Sequence, residues 1–204
     1  MKTQPTSRAE SQQLTRDALL RAGAQVIAQN GYAGASVRDI AARAGFTQGA
    51  FYSNFQSKDD LVFAIMRAMF QEAYDGLTAL AAQTDIPAKD LVAQATRWLD
   101  SICASAEKSL LDSEISLHAL RDPDFAKTYF ALLNEHARQM AGVMEDIARA
   151  RNFVLRAPAL QLANGMIAMA RGLKQQAAHQ DAGYVADTLH VFLEAAMTAP
   201  QNSG

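Results

Sequence analysis

The sequence predicts an all-α protein in which a group of three N-terminal helices precedes a longer helical body. Apolar residues recur at three- and four-residue steps along most of the 204 residues, and no segment shows a convincing strand pattern. In addition, three helix starts follow one another closely between residues 36 and 61. Each is marked by a serine or threonine whose side chain can accept a hydrogen bond from a free backbone N–H group.

The first helix is predicted from about residue 7 or 10 to residue 29. Apolar residues recur along it at four-residue steps, namely Leu14, Ala18, Ala22 and Val26. Asn30 and Gly31 follow, and these residue types commonly end a helix. We expect this helix to brace the two short helices that come after it.

The second helix is predicted to begin after Ser36 and the third after Thr47. One face of the second helix is apolar and consists of Val37, Ile40, Ala41 and Ala44. We expect this face to pack on Phe51 and Phe55. Gly45 follows directly, where a helix can end in a residue with positive φ, and glycine adopts that conformation without a Cβ clash.

A longer helix is predicted to begin after Ser57 and to continue toward Leu80. Ser57, like Ser36, is followed three residues later by an aspartate, which is a shortened form of the capping box. The helix is long enough to leave the N-terminal helices and enter the body. It is therefore the predicted mechanical link between the two.

The exposed side of the third helix has a composition that suits a DNA groove. It offers hydrogen-bonding groups and bare backbone, from Thr47, Gln48, Gly49, Tyr52 and Asn54. A Gln amide can pair with adenine, Gly permits close approach, and a Tyr hydroxyl can reach a phosphate. Lys58 lies in the first turn of the next helix, where its charge and the helix dipole both favour a phosphate. The alternative is a generic three-helix corner inside another bundle, and the agreement of caps, turn glycine and polar face argues against it.

This segment resembles the DNA-binding domain of the tetracycline-repressor (TetR) family of bacterial transcription regulators. The resemblance covers about residues 14–61. It rests on Asn30-Gly31-Tyr32, Ser36-Val37-Arg38-Asp39-Ile40-Ala41, Ala44-Gly45, Phe51-Tyr52, Phe55 and Ser57-Lys58. It implies a helix-turn-helix DNA-binding domain over residues 1–58 and a helical ligand-binding and dimerisation domain over residues 59–204. The rest of the chain agrees with the family in being helical and of suitable length.

The chemistry of single residues in this segment predicts their roles. Three of them are candidates for reading bases, namely Arg38, Gln48 and Gly49. Five others are expected to contact mainly the DNA backbone, namely Ser36, Thr47, Tyr52, Asn54 and Lys58. The expected partner is double-stranded DNA with a palindromic operator, because paired helix-turn-helix domains read two half-sites.

The charge distribution agrees with DNA binding although the net charge of −2 does not. Residues 1–58 carry seven cations and three anions, a net +4, whereas the remainder carries a net −6. Such a distribution steers the N-terminal part alone toward phosphate. The alternative is that cations cluster there by chance.

The composition is that of an ordinary globular protein, with 50% apolar and 20% charged residues. The one cysteine, Cys103, excludes an internal disulfide framework, fits a reducing cytoplasm and is expected to be a buried thiol. The first ten residues contain no apolar signal core, and the apolar, uncharged stretch at residues 157–170 has only 14 residues. We therefore expect a cytoplasmic protein without a membrane span.

Five further helices are predicted in the body, at about residues 87–106, 109–120, 123–151, 158–179 and 184–198. The last two each carry an apolar face, formed by Leu160, Ala163, Ile167 and Ala170 and by Val185, Leu189, Phe192, Leu193 and Ala196. The resemblance implies that these helices pair with their copies in a second subunit as a four-helix bundle, which gives a homodimer. The alternative is that both pack only within the subunit.

The resemblance also implies a ligand pocket within the body. The candidate ligand-binding residues are Trp98, His118 and Tyr129. The aromatic and methionine content of the body favours an apolar or aromatic small-molecule effector. A filled core explains most of the apolar residues equally well.

No metal or catalytic site is predicted. The four histidines, His118, His136, His179 and His190, lie far apart, and none is at metal-ligand spacing with another or with Cys103. The sequence also contains no phosphate-binding glycine loop, dinucleotide fingerprint or nucleophile elbow. We therefore expect neither a cofactor nor enzymatic activity.

Together these expectations predict a ligand-responsive transcription regulator, most simply a repressor that a small molecule releases from its operator. An activator of the same fold is one alternative. A helical module whose N-terminal part binds protein instead of DNA is another. A third is a helical enzyme in which His118 or Cys103 acts in a body cavity.

Overall fold

The structure is a computed structural model that describes residues 8–83, 85–103, 105–177 and 184–198. Within these ranges it contains nine helices: α1 (Arg8–Gly34), α2 (Val37–Arg43), α3 (Gln48–Tyr52), α4 (Lys58–Ala81), α5 (Ala88–Cys103), α6 (Ala106–Arg121), α7 (Pro123–Arg151), α8 (Ala159–Ala177) and α9 (Tyr184–Ala196). Two short strands in the same ranges are β1 (Val154–Leu155) and β2 (Met197–Thr198). The predicted all-α class is confirmed.

Helix α1 is interrupted at Gly31, where φ is 74° and ψ is 164°. The regular part of the helix therefore ends at Asn30, close to the predicted end, and a further turn reaches Gly34. A positive φ of this size favours glycine, because a Cβ atom would clash with the neighbouring backbone.

The three predicted helix caps are confirmed. Each hydroxyl accepts the backbone N–H of the residue three positions later, at 3.1, 3.2 and 3.1 Å for Ser36, Thr47 and Ser57 respectively. The Asp60 carboxylate also accepts the backbone N–H of Gln56 at 3.0 Å, so two N–H groups at the start of α4 are satisfied in the manner of a capping box.

Helices α2 and α3 form the expected corner. Ile40 and Ala41 of α2 are at most 1% exposed, as are Phe51 and Phe55, and the two helices are in contact. Gly45 lies between them with φ at 79°, as predicted for the turn. Burial of two phenylalanine rings contributes roughly 2–3 kcal/mol each to the free energy of unfolding, which fixes the orientation of a helix of only five residues.

The chain divides into two compact units by contacts. We call Met1–Ala68 with Leu110–Tyr129 the head unit, and Met69–Ser109 with Phe130–Gly204 the body unit. The head unit therefore includes most of α6 and the start of α7, which the sequence analysis placed in the body. Sequence patterning did not indicate this, because the pairing joins segments about 80 residues apart.

The body unit has a core in which helices α5, α8 and α9 contact one another. Its fully buried side chains include Cys103, Met140 and Leu189. The Cys103 thiol donates a hydrogen bond to the Ala170 carbonyl at 3.7 Å, and burial raises its pKa above the ordinary value. The expectation of a buried thiol is confirmed.

The predicted end of the last helix differs from the structure. Residues 197 and 198, expected to be helical, form β2, which pairs antiparallel with β1. This pair was missed because two-residue strands leave no alternating pattern in a sequence. The helix predicted at about residues 158–179 has its predicted end outside the described residues. In the described part of the chain, no helix combines the length and the hydropathy needed to cross a bilayer.

Candidate nucleic-acid interface and body cavity

Helix α3 presents an exposed surface on the corner that it forms with α2. Gln48 and Gly49 are exposed, and Tyr52 is 57% exposed although the neighbouring Phe51 is fully buried. The Tyr52 ring meets the Phe51 ring edge-on at 5.4 Å, so the phenol is held by the core and directed outward. Because Gly49 has no side chain, a binding partner could approach its backbone closely. This is the geometry that base reading through a groove requires.

The residues that flank this surface differ in how many of their hydrogen-bonding groups remain available to DNA. The Thr47 hydroxyl accepts the N–H of Ala50 in the cap and keeps its own hydrogen as a donor. The Ser36 hydroxyl instead donates to Asp39 Oδ2 at 2.6 Å while accepting the Asp39 N–H. Arg38 is exposed on α2. Thr47 and Arg38 therefore retain more capacity for DNA than Ser36 does.

Asn54 is half-buried, whereas the sequence analysis expected it to be exposed. Its Nδ2 donates to the Ala50 carbonyl at 2.8 Å, which satisfies the C-terminal end of α3. Its own carbonyl accepts a hydrogen bond from Arg16 at 2.9 Å, and the same guanidinium lies 4.2 Å from the centre of the Phe55 ring. The structure therefore assigns Asn54 and Arg16 to holding α3 on α1. In the sequence, Arg16 is distinguished only as one of the seven cations of residues 1–58.

Lys58 is also engaged within the head unit. Its Nζ donates to the carbonyls of Tyr32 and Ala35 at 2.7 and 2.9 Å, and lies 4.1 Å from the centre of the Tyr32 ring. Burial lowers the pKa of the ammonium, and the adjacent Asp59 partly opposes this shift. Two of the three N–H donors are thus used by the protein, which leaves one for a phosphate.

Tyr32 joins three segments of the head unit. Its hydroxyl donates to Asp59, its backbone N–H donates to Glu114 Oε2 at 3.0 Å, and its ring stacks on that of His118 at 3.6 Å and 14°. Burial raises the pKa of the phenol above the ordinary value, and Asp59 adds to the shift. Asp59 and Glu114 were missed by the sequence analysis. Their partner lies 27 and 82 residues away in the chain, so no local pattern marks them.

A small cavity of about 30 Å³ lies in the body unit. Its lining is wholly apolar and consists of Leu77, Leu80, Leu91, Val92, Ala95, Trp98, Leu99, Met144, Ile147, Met166 and Leu193. The volume is enough for about one or two water molecules, but the wall offers no hydrogen-bonding group to hold them. The Trp98 indole packs directly on the backbone of α4. It is so close that a Cβ atom added at Gly76 would lie 2.7 Å from Trp98 Cε2.

Of the three candidate ligand residues, Trp98 alone lines this cavity. His118 lies in the head unit, stacked on Tyr32. Tyr129 also lies in the head unit and is 3% exposed, with its hydroxyl 3.0 Å from that of Ser116. The structure therefore assigns Trp98 to the body unit, and His118 and Tyr129 to the head unit, which includes most of α6 and the start of α7.

Comparison with known proteins agrees with the corner geometry. Residues 19–65 match the family model described as bacterial regulatory proteins, tetR family. Over this segment the chain is similar in sequence to the tetR family. The matched residues include the three caps, the turn at Gly45 and the exposed face of α3.

Two curated transcriptional repressors and one solved structure show how far the similarity extends. The chain is 29% identical over 131 residues to the HTH-type transcriptional repressor KstR2 of Rhodococcus jostii (strain RHA1), covering 64% of this chain and 63% of that protein. It is 29% identical over 72 residues to the HTH-type transcriptional repressor DhaR of Mycobacterium sp. (strain GP1), covering 35% of this chain and 36% of that one. The match therefore spans less than two thirds of either repressor.

The structural similarity covers nearly the whole chain. A TetR-family transcriptional regulator from Agrobacterium tumefaciens superposes with a TM-score of 0.63 at 24% identity, over 92% of this chain and 100% of that one. At this identity the agreement concerns the fold. It shows that the body helices, where the sequence resemblance is weak, follow the same architecture.

Proposed function

We propose that the chain is a cytoplasmic, ligand-responsive DNA-binding transcription regulator, and that it acts as a repressor. The observation that carries this proposal is the outward face of α3, where Gln48, Gly49 and Tyr52 are exposed above the buried Phe51 and Phe55. The tetR-family match of residues 19–65 supports it. So do two relatives whose names describe transcriptional repressors. The proposed domains are residues 1–58 for DNA and 59–204 for ligand and dimerisation.

The contacts to DNA divide into two kinds. Arg38, Gln48 and Gly49 are the proposed base-reading residues, because they are exposed. Thr47 and Tyr52 supply hydroxyl donors to phosphates. Contacts from Ser36, Asn54 and Lys58 are proposed to be secondary, since the hydrogen bonds described above already use most of the polar capacity of these side chains. These three shape the surface on which the other contacts depend.

The proposed partner is a second copy of the chain, bound through α8 and α9. Most of the predicted apolar faces are buried within the body unit itself, including Ala163 and Leu189 at 0% exposure. The dimer contact is therefore proposed to use the outward side of these helices, where Leu160 and Val191 are 43% and 67% exposed. A two-fold dimer would present two copies of α3 to half-sites about one DNA turn apart.

The proposed effector is a small apolar or aromatic molecule that enters the body cavity. A cavity of about 30 Å³ is far smaller than the roughly 300 Å³ of a typical ligand site, so the walls must move to admit a ligand. Trp98 is the largest lining side chain and packs on Gly76 of α4. Because α4 is continuous back to Lys58, displacement of Trp98 would be transmitted along one helix. Near-complete switching requires a roughly 10⁴-fold preference of the effector for one state, about 5.5 kcal/mol.

The decisive experiment is selection of bound DNA from a random double-stranded pool by the purified full chain. We expect a palindrome with two half-sites. If no sequence is enriched while the protein is folded, the DNA-binding proposal is wrong. A reporter gene carrying the selected operator then distinguishes a repressor, which lowers transcription, from an activator.

Single substitutions test the division of contacts. Gln48→Ala should relax the base preference at one position of each half-site, because an adenine-pairing amide is lost. Tyr52→Phe, the matched control on the same helix, should weaken binding to all sequences alike and leave the preference unchanged. Fluorescence anisotropy against the selected operator and its single-base variants measures both. The reverse pattern would exchange the two assignments.

A further inference from the structure

His136 is a buried polar residue whose hydrogen-bonding capacity the described part of the chain does not satisfy. It lies on α7 in the body unit, is 6% exposed, and its Nδ1 has no hydrogen-bond partner among the described residues. Its ring stacks on that of Phe70 of α4, with the two centroids 4.3 Å apart. Buried polar groups in folded proteins nearly always have a partner, because a buried group without one costs free energy. The unsatisfied nitrogen therefore marks a place where a bound molecule could supply that partner.

A positive charge lies close to this ring. Burial lowers the pKa of His136 from 6.5 to about 4, and the ammonium of Lys174 on α8 adds to the shift. The imidazole is therefore neutral at neutral pH. Lys174 itself is half-buried. A neutral imidazole can carry its hydrogen on Nδ1 and donate it. A donor and an ammonium at one place favour a partner that accepts hydrogen bonds and carries negative charge.

Cys103 lies at the same end of the body core. Its thiol donates to the carbonyl of Ala170, which is one turn before Lys174 on α8. Burial raises the pKa of the thiol, while Lys174 lowers it and Asp100 raises it further. The thiol therefore stays protonated at neutral pH and does not neutralise the ammonium. We call His136, Lys174 and Cys103 the polar end of the core.

The polar end and the apolar cavity lie on the same helices. On α4, α7 and α8, a residue at the polar end and a residue of the cavity wall are seven or eight positions apart. They therefore lie on one side of each helix, separated by about 10–12 Å along its axis. The pairs are Phe70 and Leu77, His136 and Met144, and Lys174 and Met166. Between the two ends lie Met140 on α7, whose side chain is flexible, and Ala170 on α8, whose side chain is small. An extended molecule could therefore reach from the polar end into the cavity when Met140 changes rotamer.

We propose that the body unit binds an amphipathic carboxylate, with the carboxylate at Lys174 and His136 Nδ1 and the apolar chain extending along α7 into the cavity beside Trp98. Two donors match the two oxygens of a carboxylate, and the wholly apolar wall of the cavity matches the chain. The proposal rests on the proposed function and narrows the effector to an apolar molecule with a carboxylate at one end.

Calorimetric titration of the purified full chain without DNA tests the head group. The probe is decanoate, whose extended chain is about as long as the separation between the polar end and the cavity. We expect decanoate to bind about tenfold more tightly than decanol, which has the same chain without the charge. Acetate, which has the charge without the chain, should bind more weakly than either. Equal affinities for decanoate and decanol, or no binding of decanoate, would overturn the proposal.

Substitutions at the polar end test the assigned residues. Lys174→Met keeps an unbranched side chain and removes the charge, so it should raise the dissociation constant of decanoate about tenfold and leave that of decanol unchanged. His136→Phe keeps a ring against Phe70 and should weaken decanoate binding about fivefold through loss of one hydrogen bond. Arg149→Met, which removes an exposed cation of α7, is the matched control and should change neither constant. If Lys174→Met is folded by circular dichroism and binds decanoate as tightly as the unsubstituted chain, the carboxylate site is wrong.

The fluorescence of Trp98 tests where the chain lies. Decanoate should change the emission of this single tryptophan, because the apolar chain arrives beside the indole, whereas acetate should not. Binding of decanoate without a change in emission would show that the chain does not enter the cavity. These titrations omit DNA, so their failure leaves the DNA-binding function intact, and failure of operator selection leaves the carboxylate site intact.

Discussion

Gly31 is the residue at which a backbone requirement and a long-range contact coincide. Its φ is 74°, and a Cβ at this position would lie 2.9 Å from Glu114 Oε2, the acceptor of the Tyr32 N–H. Gly45 has a similar φ of 79°, but a Cβ there would meet no atom within 4 Å. The two glycines therefore share the conformational requirement and differ in their surroundings.

Alanine substitutions separate the two effects. Gly45→Ala should lower the free energy of unfolding by about 1 kcal/mol, the strain of a left-handed alanine. Gly31→Ala should lower it further, because the same strain is joined by displacement of Glu114 from the Tyr32 N–H. Urea denaturation followed by circular dichroism measures both. Equal losses would mean that the Glu114 contact contributes nothing to stability.

His136 makes the stability of the body unit depend on pH. It is 6% exposed, its ring stacks on Phe70 at 4.3 Å, and its Nδ1 has no hydrogen-bond partner among the described residues. Burial lowers its pKa from 6.5 to about 4, and the nearby positive charge of Lys174 adds to the shift. The folded chain therefore keeps the ring neutral at a pH where the unfolded chain protonates it.

The sign of the pH effect follows from that difference. Between pH 6.5 and about 4 the unfolded state binds one proton more than the folded state, so stability falls as the pH is lowered, by up to about 1.4 kcal/mol per pH unit. We expect His136→Phe, which keeps an aromatic ring against Phe70, to flatten the stability profile between pH 6.5 and 5. Urea titrations at each pH measure the profile. An unchanged slope in the variant would show that His136 does not cause it.

At the scale of the element, the contact between α4 and α5 connects the cavity to the helix that enters the head unit. Trp98 is the single tryptophan of the chain, so its fluorescence reports on this contact alone. Gly76→Ala should displace the indole, because a Cβ would overlap its Nε1 and lie 2.7 Å from Cε2. We expect a red-shifted emission and a loss of stability. Gly142→Ala, on the open side of α7, is the matched control and should shift neither. An unshifted emission in Gly76→Ala would show that the indole adapts without moving into water.

The elements that the sequence predicted well are those whose causes are local. The caps at Ser36, Thr47 and Ser57 bond within three residues of themselves, and the turn at Gly45 depends on one φ angle. The position of His118 was not predictable in the same way. A histidine on a half-buried helix face fits a pocket wall and a packed ring stack equally well, and the choice depends on a partner, Tyr32, that is far away in the chain.

The candidate DNA surface was predictable in its composition and less so in its available hydrogen bonds. Gln48 and Tyr52 are exposed as expected, because the buried Phe51 fixes the opposite side of the same short helix. Asn54 and Lys58 were expected to face DNA, but each also satisfies carbonyl groups at a helix end or turn. Those carbonyls are set by the tertiary arrangement of the corner, which residue types alone do not specify.

At the scale of the whole molecule, the charge asymmetry and the proposed dimer together constrain the operator. The net charge of +4 over residues 1–58 and −6 over the rest favours approach to DNA by that end of each copy. A single five-residue recognition helix offers few base contacts, so useful affinity requires two of them on one duplex. The proposed dimer would therefore determine the spacing of half-sites as well as the affinity.

This constraint gives a prediction about operator geometry. Insertion of about five base pairs at the centre of the selected palindrome rotates one half-site by about half a turn of DNA and should abolish tight binding, whereas insertion of about ten restores the facing of the half-sites. Val191→Glu, placed on the exposed side of α9, should convert tight binding to the original operator into weak binding that is indifferent to either insertion. Electrophoretic mobility shifts at fixed salt measure the binding of both proteins to the selected operator and to its two insertion variants. If Val191→Glu behaves like the unsubstituted chain, the dimer contact lies elsewhere than α9. If the insertions have no effect on the unsubstituted chain, its two half-sites are not read by one rigid dimer.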